Sequence, residues 1–132
     1  MRYFADAPLP LDQIKAGLRA EDPAFKIDGG ELTRGTDLLG EIEINRPGSD
    51  LFDDELAGTV QRLEQVRGHA VIPRVRATQA VLALQVMDGE RTPETTMQLL
   101  GPLWSVLQRL ANGRWLVEGQ GLYENGQLVV QM

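Results

Sequence analysis

Two stretches, FKIDGGELTRGTDLLGEI (Phe25–Ile42) and WLVEGQGLYENGQLVVQM (Trp115–Met132), lie over one another without a gap. Phe25 falls on Trp115, Ile27 on Val117, Asp28 on Glu118, Gly29 on Gly119, Leu32 on Leu122, and Leu38-Leu39 on Leu128-Val129. Gly35-Thr36 falls on Asn125-Gly126, the strongest short hairpin signal in the chain. Three of eighteen positions are identical, so the correspondence lies in pattern more than in identity.

Each stretch reads as a hairpin preceded by a helix, and each helix by a strand. Residues 2–5 read as the first strand, and Leu11, Ile14 and Leu18 form a helical stripe that Asp22-Pro23 ends. In the second half, Val81, Leu82, Leu84 and Val86 form a nearly continuous apolar run, as in a central strand. Thr92-Pro93-Glu94 starts a helix with a capping hydroxyl, a proline at the first position and an acid in the first turn. Its stripe runs through Met97, Leu100, Trp104, Leu107 and Ala111, and Gly101-Pro102 should kink it or split it into two abutting helices. The chain therefore reads as an α+β domain of tandem β-α-β-β units, about 1–45 and 78–132, building an antiparallel sheet with helices packed on it. A helix at about 51–66 links the units, with acids crowding its first turn and Gly68 stopping it. Residues 70–77 fit either a short strand or a helical turn.

The repeat assigns a role to two glycines. The apolar positions change parity between Ile27 and Leu32, and again between Val117 and Leu122. One extra residue at Gly29 or Gly119 would keep both members of each pair on one core, which predicts a bulge there.

A duplicated unit of this kind resembles, in order of elements only, the GyrI-like effector-binding and SOUL haem-binding group of folds. That resemblance implies two copies paired about a pseudo-twofold axis, with a groove for a small ligand between them. The competing architecture is a ferredoxin-like βαββαβ core over residues 1–87 with an appended helix and hairpin; the internal repeat favours the first.

Composition removes much chemistry. There is no cysteine, so thiol nucleophiles, disulfides and thiolate metal sites are excluded, and the single His69 rules out a multi-histidine centre within one chain. No cofactor is called for. The net charge of −6 argues against nucleic-acid binding. That charge is uneven: residues 1–66 balance to −7 and residues 67–132 to +1. No apolar run reaches the roughly 18 residues of a membrane span, and Asp6 interrupts any signal-peptide pattern, so a cytoplasmic location is expected.

What remains is carboxylate chemistry, arginine-based anion binding, or no chemistry. Asp28 and Glu118 are pseudo-equivalent acids that could bind a cation together or work as acid and base, unless both simply face solvent. Glu41 and Glu43 alternate with Ile42 and Ile44 and would be solvated or line a concave ligand surface. Trp115 and Tyr123 are candidate groove aromatics, and Trp104 and Trp115 also fit plain packing. Asp50, Asp53, Asp54 and Glu55 lack the glycine and twelfth-position glutamate of an EF-hand loop, and the helix dipole accounts for them. Arg67, His69, Arg74 and Arg76 form the one basic stretch, suited to an anion or to the chain's own acids. Gly-rich phosphate motifs are absent. The leading expectation is a non-enzymatic binding module with a small-molecule or peptide groove between two halves. The second is an acidic interaction protein or a homodimer formed through hairpin edges, and a carboxylate-dependent enzyme comes third.

Overall fold

A computed structural model describes residues 1–132. One antiparallel sheet of eight strands runs through the chain in the order β2-β3-β4-β5-β1-β6-β7-β8. The strands are β1 (Arg2–Ala5), β2 (Phe25–Asp28), β3 (Glu31–Arg34), β4 (Asp37–Asn45), β5 (Ala80–Val86), β6 (Gly113–Val117), β7 (Gly121–Glu124) and β8 (Gln127–Gln131). The helices are α1 (Leu11–Glu21), α2 (Asp50–Gln65), α3 (Ile72–Arg76), α4 (Pro93–Leu99) and α5 (Gly101–Leu110), with a 3₁₀ turn at His69–Val71.

Both faces of the sheet are covered, because successive strand side chains point to opposite sides. Tyr3, Ala5, Phe25, Ile27, Leu82, Leu84 and Trp115 form one core with Ile14 and Leu18 of α1 and Leu103, Val106 and Leu107 of α5. Phe4, Val81, Leu116 and Leu122 form the other with Phe52, Val60 and Leu63 of α2 and Ile72 and Val75 of α3. Local chemistry sets the helix ends. Ser49 Oγ accepts from Phe52 N–H to cap α2, Thr92 caps α4 in the same way, and Gly101-Pro102 separates α4 from α5. Residues 70–77 form the end of the 3₁₀ turn and then α3, the helical alternative, with Ile72 and Val75 buried.

Three expectations are corrected. Gly29 and Gly119 are not bulges within strands; they sit in turns, with φ of +57° and +79°, and each predicted long strand is two strands folded back on one another. Chain reversal produces the parity change: Ile27 lies directly opposite Leu32 across the Gly29-Gly30 turn, and both face the same core. In the second meander Leu116, not Val117, lies opposite Leu122, so Val117 and Leu122 face different cores. The bulges occur elsewhere, where Leu39 and Val129 are skipped in the β3–β4 and β7–β8 ladders.

The second correction is to the pseudo-twofold. The β3–β4 and β7–β8 registers correspond position for position, but the first meander joins the sheet through its last strand, β4 on β5, and the second through its first, β6 on β1. Exchanging the two halves does not reproduce the strand order, so the twofold arrangement implied by the fold resemblance does not hold. The third is to the ferredoxin-like alternative, which places both helices of the unit on one face. Here α1 and α2 pack on opposite faces.

Candidate functional site

The most developed concavity opens where β1 begins. This strand spans four residues, while its neighbour β5 spans seven and runs past Leu84, the partner of Met1, whereas β6 ends at Val117 and turns at residues 118–120. A groove of about 660 Å³ lies beside β1, bounded by β4 and β5 on one side, the β6–β7 turn on the other, and the starts of α2 and α4. Its size lies within the ordinary range for ligand sites. A second pocket of about 570 Å³ adjoins it along α2 and shares Arg2, Leu51, Glu55 and Glu118.

The groove is predominantly anionic. Glu41 and Glu43 enter from β4, Asp88 from the end of β5, Glu118 from the β6–β7 turn and Glu55 from α2. Glu41 and Glu43 share the sheet face of Asn45, which pairs with the buried Val81 of the α2-side core. Opposing these carboxylates are the Met1 amine and Arg2. Arg2 Nη1 donates to Glu118 Oε1 at 2.6 Å, and Arg2 Nε lies 2.7 Å from Glu55 Oε2 as an ion pair whose N–H points off line. Burial alone would lower the Arg2 pKa, but the two carboxylates outweigh it and raise it. The Arg2 hydrogen bond, reinforced by the Met1 amine, holds Glu118 below the usual carboxylate range, with burial opposing. The Met1 amine is itself lowered, chiefly by burial, and donates to the Leu84 carbonyl at 3.0 Å. One oxygen of Asp88, Oδ1, is buried and receives no hydrogen bond.

Of the residues singled out from sequence, Glu41, Glu43 and Glu118 are brought to this groove. Asp28 is not. It ends the edge strand β2 with its side chain 81% exposed and 3.8 Å from Lys26, and its strand lies five strand positions, roughly 24 Å, from β6. Asp28 and Glu118 therefore form no pair. Trp115 is also outside: it is 1% exposed in the α1/α5 core, stacked on Trp104 at 4.7 Å and tilted against Tyr3 at 4.9 Å. Tyr123 packs at the border of that core and donates to Gln120 Oε1 at 2.6 Å, so it buttresses a groove residue without lining the groove. Met1, Arg2, Glu55 and Asp88 were missed. Nothing local marks them, since Arg2 and Glu118 are 116 residues apart and meet only through the β1–β6 pairing.

The basic stretch finds its own acids. Arg74 reaches Glu124 at 2.6 Å through Nη2 and 2.9 Å through Nε, Arg76 lies 3.6 Å from Glu64, and His69 is exposed. No three or more of the His, Asp and Glu side chains converge as a metal site. No helix is long and apolar enough to cross a membrane. Compared with protein-family models, curated proteins and solved structures, the chain matches none.

Proposed function

We propose that the protein is a non-enzymatic binding module whose groove between β4–β5 and the β6–β7 turn takes a cationic small molecule or a basic peptide segment. The observation that carries this reading is the groove lining: five carboxylates against one guanidinium and one amine. A cation entering there gains Coulomb energy from several carboxylates behind partly apolar walls, where screening is weaker than on an open surface. Acid–base catalysis fits less well. Glu118 is clamped by Arg2 and held below the usual range, whereas a general acid or base works best with a pKa near the operating pH.

Calorimetric titration with spermidine tests the reading on the native chain and on a Glu41→Gln/Glu43→Gln variant. Both positions lie on the open part of β4, so the variant should fold. Saturable one-site binding that weakens about tenfold or more in the variant, and weakens as salt is raised, is the expected result. Equal binding by both proteins, or none by the native chain, would remove the groove from the function.

A second reading, self-association through β8, is favoured by a separate observation. This edge strand carries no charge, and Leu128 and Val129 are 46% and 45% exposed. Uncharged apolar edges invite strand pairing. Sedimentation of the native chain and of Val129→Lys distinguishes it: a dimer abolished by the lysine supports it, and a monomer at all concentrations sinks it.

A further inference from the structure

We propose that the second pocket, the furrow along α2, is a binding site of its own for a small zwitterion: one ammonium and one carboxylate joined by a short apolar chain. The proposal goes beyond the cation-binding groove and does not rest on it.

The sequence of α2 carries the argument. Asp54, Gly58 and Arg62 recur every four residues, so they stand in one row along the helix with Gly58 in the middle, and all three line the furrow. Glycine is the poorest helix former after proline, and an interior one marks a special backbone conformation or a close approach. Neither applies to Gly58. Its backbone is ordinary helix and a Cβ built there would meet nothing within 4 Å, whereas one at Gly17 would lie 2.8 Å from Val106. The missing side chain instead leaves the helix wall low where it borders the furrow. The cavity reaches Leu116 of β6 and Thr59 of α2, both buried, and Leu51 at its mouth is 55% exposed.

Charge divides the furrow by its ends. Glu55 and Glu118 are already engaged by Arg2, at 2.7 and 2.6 Å. Asp54 and Arg62 are the charged lining residues that make no ion pair and no side-chain hydrogen bond within the chain. Arg62 assists the Arg2 hydrogen bond and the Met1 amine in lowering Glu118, yet its guanidinium is bonded to no carboxylate. The helix dipole explains an acid near the start of α2 and a base toward its end, but not the gap between them. An acid, a gap beside exposed Leu51 and a base, in line, match an ammonium, a methylene chain and a carboxylate. On their Cα positions, eight residues of helix set Asp54 and Arg62 about 12 Å apart. Hydrogen bonds of about 2.8 Å at each end leave roughly 6 Å for the ligand. About five methylenes, at roughly 1.3 Å each in an extended chain, fill that span. A free ω-amino acid such as 6-aminohexanoate has this form, and so does a carboxy-terminal lysine.

Calorimetry of the full chain tests the furrow with 6-aminohexanoate, with Nα-acetyl-lysine as the peptide-end counterpart, and with hexylamine and hexanoate as single-charge controls. The proteins are the native chain, Gly58→Met and Arg62→Gln. Gly58→Met puts a good helix former into the furrow and should keep the native circular dichroism. The expected result is one-site binding of at least one zwitterion, with each single-charge control bound about tenfold more weakly and both variants losing about tenfold or more. Binding of 6-aminohexanoate alone identifies a free ω-amino acid, and equal or tighter binding of Nα-acetyl-lysine identifies a carboxy-terminal lysine. Gly58 lies outside the groove, so spermidine should bind Gly58→Met as it binds the native chain. If hexylamine matches the zwitterions, or Arg62→Gln binds them undiminished, carboxylate recognition is wrong. If Gly58→Met binds them as the native chain does, or the native chain binds neither, the furrow is not the site, while spermidine binding still decides the groove separately.

Discussion

Arg114 is the only charged residue buried in the protein, 3% exposed, and its replacement should be the most damaging single change outside the hydrophobic cores. It stands on β6 opposite Phe4 and Glu124 and ties three strands to α3. Nη1 donates to Asp6 Oδ1 at 2.9 Å and to the Arg74 carbonyl at 3.2 Å, Nη2 to Asp6 Oδ2 at 3.3 Å, and Nε to Glu124 Oε2 at 3.1 Å. Arg114→Met keeps most of the volume and removes every one of these bonds. Breaking a buried charge pair from one side costs about 3–5 kcal/mol, because the partners are left uncompensated. Two features place this case at the low end. Asp6 is 43% exposed at its side chain and regains water, while Glu124 keeps Arg74. The expected loss is therefore about 3 kcal/mol, which for a chain of this size lowers Tm by roughly 10 °C. Urea unfolding followed by circular dichroism reads the free energy, and a double-mutant cycle with Glu124→Gln should give a coupling above about 1 kcal/mol. A loss below about 1 kcal/mol in Arg114→Met with an unchanged m-value would refute the view that this network fastens α3 to the sheet.

Acid should weaken the same network. Hydrogen bonding from Arg74, with Arg114 assisting and burial opposing, holds the Glu124 pKa below its ordinary 4.5, so its contribution is complete above that value and is lost as pH falls through the folded pKa; Arg74→Ala should move the acid-unfolding midpoint upward. Tyr3 behaves oppositely. Burial raises its phenol from 10 to about 12, with Arg114 lowering it and Asp6 raising it, so the stability it provides is present below pH 10 and lost between about 10 and 12; ultraviolet titration should show one late tyrosine that Tyr3→Phe removes. The same substitution leaves the Ala111 carbonyl without its 2.6 Å hydroxyl donor and should cost about 1–3 kcal/mol. Gly40→Ala should be poorly tolerated, because a Cβ there would lie 2.4 Å from the Gln85 carbonyl oxygen and 2.9 Å from Leu84 Cδ1, forcing β4 from β5; a loss of more than about 2 kcal/mol in chemical denaturation is expected. Ser49→Ala removes the α2 cap and should cost about 1 kcal/mol by the same measurement.

Much of the secondary structure was legible because its signals are local. Thr92-Pro93, Asn125-Gly126 and the acidic first turn of α2 each act within a few residues, and each element stands where those residues placed it. The long strands at 25–34 and 115–124 misled for two reasons: the two-residue Gly29-Gly30 turn shifts apolar parity as a bulge would, whereas the three-residue turn at 118–120 keeps parity and leaves Val117 and Leu122 on different cores. Only the partner strand distinguishes them, and here Leu32 lies opposite Ile27 while Leu122 lies opposite Leu116. Strand order is a property of the whole sheet. Nothing within Phe25–Asn45 or Gly113–Gln131 says which end of each meander joins the central pair, so a symmetric arrangement was as consistent with the sequence as the observed one. The site divided in the same way. Alternation with Ile42 and Ile44 placed Glu41 and Glu43 on a common face, whereas the correspondence of Asp28 with Glu118 carried no information on distance. Arg2, Glu55 and Asp88 join the groove through β1 pairing, the docking of α2 and the end of β5, none of which a local pattern records.

The anionic groove between β4–β5 and the β6–β7 turn is the central claim, and amide shift mapping by nuclear magnetic resonance tests it most directly. With isotope-labelled protein and spermidine, the largest saturable shifts should fall on Glu41, Glu43, Asp88 and Glu118, with smaller effects on Gln85 and Arg2. Saturable shifts concentrated at Asp28, on β8 or around Arg76, with Glu41, Glu43 and Glu118 unmoved, would contradict it.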